Sequence, residues 1–138
     1  MADVLLATDA DWIHDEVDAA LGGEGAIRWV RRGADVPREV ARQTPDLVIL
    51  DLQIGNMGGM ATCLSLRLEA GAGRLPEVPI LMLLDREADV FLARRSEADG
   101  WLIKPLDAFR LRRAAEALLA GGPYTEGVSE SAPEPLAT

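Results

Sequence analysis

Three side chains that can take part in chemistry follow short apolar runs of the sequence. Asp9 comes soon after residues 4–7, Asp51 comes directly after residues 47–50, and Lys104 follows residues 101–103. Two carboxylates can hold Mg²⁺, a cation that prefers oxygen ligands. A carboxylate whose charge is neutralised in this way can attack a phosphoryl group, and Lys104 would then hold a phosphoryl oxygen.

Lys104 stands out because the other thirteen of the fourteen basic residues are arginines. A lysine ammonium is a compact point charge rather than a planar fork, which suits contact with a single oxygen. A simpler interpretation is also open: an arginine-rich chain contains an occasional surface lysine. Asp9 or Asp51 taken alone equally fits a capping residue at the end of a strand.

The elements that must position these residues alternate along the chain. Short apolar runs predict strands, and stretches with apolar residues at helical spacing predict helices between them. The predicted strands are 4–7, 26–30, 47–50, 80–84 and 101–103. The helices with predicted bounds are 12–21, 36–43, 60–70 and 108–119, the last with Asp107 as its N-cap. This alternation predicts an α/β fold with a doubly wound parallel sheet, in which ligands bind at the carboxyl ends of the strands.

Composition restricts the possible functions. The 138 residues, 49% of them hydrophobic, suit one domain at residues 1–120, and the Pro- and Glu-containing stretch 121–138 is expected to be a disordered tail. The net charge of -9 argues against direct DNA binding and against an anionic membrane surface. Cys63 is the only cysteine and His14 the only histidine, so Cys or His metal clusters are not expected. With no signal peptide or long apolar segment, the expected location is cytoplasmic.

Four segments together resemble the receiver domain of two-component response regulators. They are VLLATD, PDLVILDLQIGNMGG, VPILMLL and ADGWLIKP, in this order and at compatible spacing over residues 3 to about 120. The resemblance implies a flavodoxin-like (βα)5 fold with strand order 2-1-3-4-5. It implies that Asp51 accepts a phosphoryl group and that Lys104, joined to Pro105 by a cis peptide, contacts it. Magnesium would be held by Asp9, Asp51 and the backbone carbonyl of Gln53.

The chain also departs from the family pattern at several positions. Thr8 stands where the family usually has the first of two adjacent acids, so Mg²⁺ binding is expected to be weaker. Leu84 replaces the Ser or Thr whose hydroxyl binds the phosphoryl group, and Asp85 replaces a small residue. Trp101 holds the aromatic switch position on the fifth strand. Without a hydroxyl at residue 84, the usual coupling between phosphorylation and this aromatic lacks its donor.

Two functions within the family, and one outside it, fit these residues. The first is a stand-alone atypical receiver, not an enzyme, that takes a phosphoryl group from a histidine kinase or phosphotransfer protein in a phosphorelay. It would signal by contact with a downstream protein or as a homodimer through helix 4, strand 5 and helix 5. The second is a phosphorylation-independent pseudo-receiver that acts as a protein-interaction module. The third is a nucleotide- or flavin-binding protein that uses the glycines of GNMGG, although this loop lacks the usual phosphate-binding patterns.

Overall fold

The computed structural model describes residues 2–23 and 27–127. Five parallel strands form one sheet in the order β2-β1-β3-β4-β5, which confirms the predicted fold class. The strands are β1 (Val4–Ala7), β2 (Ile27–Val30), β3 (Leu47–Asp51), β4 (Ile80–Leu84) and β5 (Gly100–Ile103). Ala26, the predicted first residue of β2, lies outside the described residues.

Five α-helices connect or follow the strands. They are α1 (Asp11–Val17), α2 (Val36–Arg42), α3 (Gly59–Gly71), α4 (Val90–Arg95) and α5 (Ala108–Leu119). The first predicted helix, 12–21, is wrong in detail, because its second half is a π-helical turn at Asp18–Gly22. The predicted N-cap of α5 is confirmed, since the Asp107 carboxylate accepts a hydrogen bond from the backbone N–H of Arg110 at 2.9 Å.

The helices cover both faces of the sheet, because alternate residues of each strand point to opposite sides. Leu5 and Ala7 of β1 belong to the core cluster that contains residues of α2, α3 and α4, whereas Val4 and Leu6 belong to the cluster that contains residues of α1 and α5. All four side chains are buried. Burial on both faces explains why the strands read as continuous apolar runs rather than as alternating ones.

Tyr124 and Glu126, in the stretch that follows α5, lie against the outer edge of β5. Tyr124 forms an isolated parallel bridge with Gly100, and the backbone N–H of Trp101 donates to the Tyr124 carbonyl at 2.8 Å. A disordered tail was expected from residue 121 onward, whereas Tyr124 and Glu126 of that stretch form hydrogen bonds with β5. The domain boundary at 120 stays a prediction, and residues 128–138 lie outside the described part of the chain.

Candidate functional site

The three candidate side chains lie at the carboxyl edge of the sheet, where the strand ends predict them. Asp51 is the last residue of β3, Asp9 follows β1 by two residues, and Lys104 directly follows β5. The registers bring these ends level, since Ala7 pairs with Leu50 and Asp51 pairs with Leu83. Strands far apart in sequence therefore contribute to one site.

Asp51 is the buried centre of the site. Its side chain is only 3% exposed, and both carboxylate oxygens accept hydrogen bonds. Oδ1 accepts from the Lys104 ammonium at 2.8 Å and from the backbone N–H of Gln53 at 3.1 Å. Oδ2 accepts from the Thr8 hydroxyl at 2.7 Å. These donors compensate for the loss of water around a buried carboxylate.

Lys104 is shared between two carboxylates. Besides Asp51, its ammonium donates to Asp85 at 2.7 Å, and the peptide bond to Pro105 is cis. Burial opposes the charged ammonium, but the hydrogen bonds and charges of Asp51 and Asp85 outweigh burial, so the pKa of Lys104 is raised. The lysine is therefore a fixed positive charge at the mouth of the site.

Asp9 is held by a different contact. Its carboxylate accepts a hydrogen bond from the backbone N–H of Gly55 at 3.0 Å, and the residue is exposed. A Cβ atom at residue 55 would lie 3.1 Å from Asp9 Oδ2, so a glycine there allows a close approach. A second hydrogen bond fixes Gly55 and the loop that contains it, because the Gly33 N–H donates to the Gly55 carbonyl at 3.1 Å.

The oxygen donors at this edge fit magnesium in chemical type. Mg²⁺ takes carboxylate and carbonyl oxygens and usually keeps several waters; the candidate donors are Asp9, Asp51 and the Gln53 carbonyl. Within residues 2–23 and 27–127, no group of three His, Cys, Asp or Glu side chains forms a metal cluster. The site thus offers two carboxylates, and one of them already accepts a bond from Thr8.

The side chains at the two expected switch positions are both buried. Leu84 is fully buried at the end of β4 and has no hydroxyl to donate to the site. Trp101 on β5 is 5% exposed, and its indole N–H donates to the Glu126 carbonyl at 2.9 Å. The Arg94 guanidinium lies 5.6 Å from the centre of the same ring. The aromatic side chain is therefore already buried and bonded.

Two features of the site were missed by the sequence reasoning. Thr8 was considered only as a missing charge, whereas its hydroxyl is a hydrogen-bond donor to Asp51. Asp85 was considered only as a replacement for a small residue, whereas it is an ion-pair partner of Lys104. Both residues directly follow strands, β1 and β4, so the rule that identified Asp51 also points to them.

Comparison with known proteins identifies the family. The response regulator receiver domain matches residues 4–116, so the chain belongs to that family of two-component signalling domains. Receiver domains are phosphoacceptor signalling domains, generally bind Mg²⁺ at the phosphorylation site, and interact with histidine kinases or phosphotransfer proteins. In the described part of the chain, no helix has the length and apolar character needed to cross a membrane.

Similar proteins agree with this assignment. The chain is 28% identical over 125 residues to the transcriptional regulatory protein AfsQ1 of Streptomyces coelicolor, covering 88% of this chain and 53% of that protein. It is 32% identical over 105 residues to the DNA-binding response regulator MtrA of Mycolicibacterium smegmatis, covering 74% and 43%. It thus spans about half the length of these curated relatives.

Solved receiver domains have the same architecture. The receiver domain of NtrX from Brucella abortus superposes with a TM-score of 0.75 at 26% identity, covering 87% of this chain and all of that one. The signal receiver domain of a histidine kinase from Syntrophus aciditrophicus gives a TM-score of 0.76 at 26% identity, with coverage of 94% and 98%.

Proposed function

We propose that this protein is an atypical receiver that accepts a phosphoryl group on Asp51. The observation that carries the proposal is the buried Asp51 carboxylate with the Lys104 ammonium 2.8 Å from Oδ1, at the carboxyl edge of a parallel sheet. The Lys104 ammonium can bind an oxygen of an incoming phosphoryl group, and this places the phosphorus beside the nucleophilic oxygen of Asp51.

The transfer itself exchanges one bond to phosphorus for another. An Asp51 oxygen forms a bond to phosphorus while the P–N bond of a phosphohistidine donor breaks. The leaving imidazole keeps the bonding electron pair and takes up a proton, and Asp51 becomes an acyl phosphate. Lys104 then neutralises a phosphoryl oxygen, for which it has to exchange its contact with Asp51 and can keep its contact with Asp85.

Magnesium is the proposed cofactor, held by Asp9, Asp51 and the Gln53 carbonyl. When bound, it reduces the charge repulsion between the carboxylate and the phosphoryl group. With Thr8 in place of a second acid beside Asp9, the site carries one negative charge fewer, and we expect weaker Mg²⁺ binding than three carboxylates would give.

The proposed output is contact with another protein. The relatives AfsQ1 and MtrA are named as transcriptional and DNA-binding regulators, and the match to this chain covers 53% and 43% of their lengths. The net charge of -9 repels a phosphate backbone, so a protein target fits this chain better than DNA does. The donor would be a histidine kinase or a phosphotransfer protein.

The test is phosphorylation by a small donor. The protein is incubated with acetyl phosphate and Mg²⁺, and intact mass spectrometry detects the addition of one phosphoryl group. We expect a stoichiometric adduct that is absent from Asp51→Asn and retained by the exposed control Asp18→Asn. Loss of the adduct in both variants, or its persistence in Asp51→Asn, would refute Asp51 as the acceptor.

A second candidate function is a phosphorylation-independent interaction module. Three observations favour it: Leu84 offers no hydroxyl, Asp85 already occupies Lys104, and Trp101 is already buried. Beryllofluoride with Mg²⁺ separates the two functions, because it mimics a phosphoryl group on the acceptor carboxylate. A receiver shifts NMR signals at residues 84–85 and 101–104, whereas the interaction module leaves them unchanged and binds its partner equally well after Asp51→Ala.

A further inference from the structure

Strand β5 is one of the two edges of the sheet, and a later segment of the same chain covers its outer side. An uncovered edge presents unpaired N–H and C=O groups to which another strand can bind. The inner side of β5 pairs with β4, as the bond from the Lys104 N–H to the Leu84 carbonyl at 2.8 Å shows. The backbone amides alternate in direction along the strand, so those of Trp101 and Ile103 point outward, away from β4.

Both outward amides bond to residues 123–127, which we name the strap. The Trp101 N–H donates to the Tyr124 carbonyl at 2.8 Å. Two residues further along, the Ile103 N–H donates to the Glu126 carboxylate at 2.9 Å. One backbone oxygen and one side-chain oxygen thus satisfy the edge in the way a neighbouring strand would.

Arg110 of α5 fixes the acidic residue of the strap. Its guanidinium donates to Glu126 through Nε at 2.7 Å and through Nη2 at 2.6 Å, a two-point geometry that arginine forms with carboxylates. Nη2 also donates to the Ile103 carbonyl at 2.8 Å, so one arginine binds both the strap and the strand. The hydrogen bond to Glu126 raises the pKa of Arg110 above its ordinary value.

The strap also touches the expected switch residue and needs a glycine beneath it. The indole N–H of Trp101 donates to the Glu126 carbonyl at 2.9 Å, so a residue of the strap stabilises the buried position of this ring. A Cβ atom at residue 100 would lie 2.5 Å from the Tyr124 carbonyl oxygen, so only glycine admits the strap at this distance. The sequence of β5 is therefore compatible with a segment packed directly on its edge.

We propose that the outer edge of β5, together with Arg110, is a binding surface for an extended acidic segment, and that the strap of this same chain occupies it. A partner that pairs with β5 has to displace the strap and supply a carboxylate to Arg110 and Ile103. Displacement also removes the bond that holds the Trp101 indole. This inference does not depend on phosphorylation of Asp51.

Amide hydrogen exchange in the full-length protein tests the strap. Glu126→Ala removes the carboxylate from Arg110 and Ile103, and we expect exchange at the Ile103 amide and the Trp101 indole to accelerate about tenfold, equivalent to about 1.4 kcal/mol. Glu126→Gln keeps an oxygen acceptor without the charge, so its effect should be intermediate. Glu116→Ala, which removes an exposed carboxylate from α5, is the matched control and should leave both rates unchanged.

The exchange rates of β1 and β3 amides show whether a variant has unfolded globally, because only global opening accelerates them together with β5. Equal rates at Ile103 and Trp101 in the parent, Glu126→Ala and Glu116→Ala proteins would overturn the proposal. So would acceleration spread evenly over all the strands in both Glu126 variants.

A second experiment tests the surface in trans. A synthetic peptide of residues 121–127 is added at millimolar concentration to full-length Glu126→Ala, since a tethered segment has an effective concentration of about that order. We expect the peptide to slow exchange at Ile103, and the same peptide with alanine at residue 126 to have no effect. If both peptides act alike, or neither acts, the surface does not select an acidic segment.

Discussion

Lys104→Met is the most informative perturbation of the site, because it removes the ammonium while retaining most of the apolar stem. The Lys104 side chain is 12% exposed and that of Asp51 is 3% exposed, so the pair is largely withdrawn from water. Removing one partner of a buried ion pair costs about 3–5 kcal/mol, because the remaining charge stays buried.

The expected loss lies near the lower end of that range. Asp51 keeps its bonds from Thr8 and from the Gln53 amide, and Asp85, with 34% of its side chain exposed, regains water. We therefore expect the free energy of unfolding to fall by about 3 kcal/mol. With a urea dependence of about 2 kcal/mol/M, the midpoint would move down by about 1.5 M.

The assay is urea unfolding followed by far-ultraviolet circular dichroism at pH 7. Arg38→Met is the matched control, since this arginine is 77% exposed and lies 3.8 Å from its acidic partner; it should cost less than about 0.5 kcal/mol. A double-mutant cycle with Asp51→Asn should give a coupling energy of about 2 kcal/mol. A loss below about 1 kcal/mol for Lys104→Met would refute the reasoning, because the pair would then behave as an exposed salt bridge.

The same pair also predicts a dependence on alkaline pH. The pKa of Lys104 in the folded protein is raised above its ordinary value of 10.5. A raised folded-state pKa means that the ammonium contributes its full stability below about pH 10.5 and loses it as the pH rises through the folded-state value. The difference in the free energy of unfolding between the parent and Lys104→Met should therefore be constant around neutral pH and decrease above about pH 10.5. A difference that grows with alkaline pH would contradict this sign.

Three further predictions concern single residues. Thr8→Asp should tighten Mg²⁺ binding by about tenfold, because a second acid beside Asp9 adds attraction of a few kcal/mol before screening; a fluorescence titration that shows unchanged affinity would contradict it. Burial raises the pKa of the Cys63 thiol to about 12, so this cysteine should react with a thiol reagent at pH 8 only after unfolding. Rapid labelling of the native protein would contradict this prediction. Asp107→Ala removes the N-cap of α5 and should lower the free energy of unfolding by about 1 kcal/mol. Urea unfolding measures this loss, with Asp18→Ala as the control. Equal losses in the two variants would count against a capping role.

The sequence alone determined the framework of this protein. Strands β1 and β4 could be located to the residue because a strand buried on both faces has to be a continuous apolar run. Asp51 and Lys104 could be selected because each follows such a run, and parallel strands place their carboxyl ends at one edge. The alternation of strands and helices then predicted the doubly wound sheet, which the structure confirms.

Only the tertiary structure decided which groups pair at that edge. Thr8 and Asp51 are 43 residues apart, Lys104 and Asp85 are 19 apart, and Ile103 and Glu126 are 23 apart. Periodicity and composition report the environment of a residue, but they do not specify which distant polar atom completes its hydrogen bonds. The sequence therefore indicated a charged site and a polar C-terminal stretch. The tertiary structure shows which donors bind Asp51 and that the strap lies along β5.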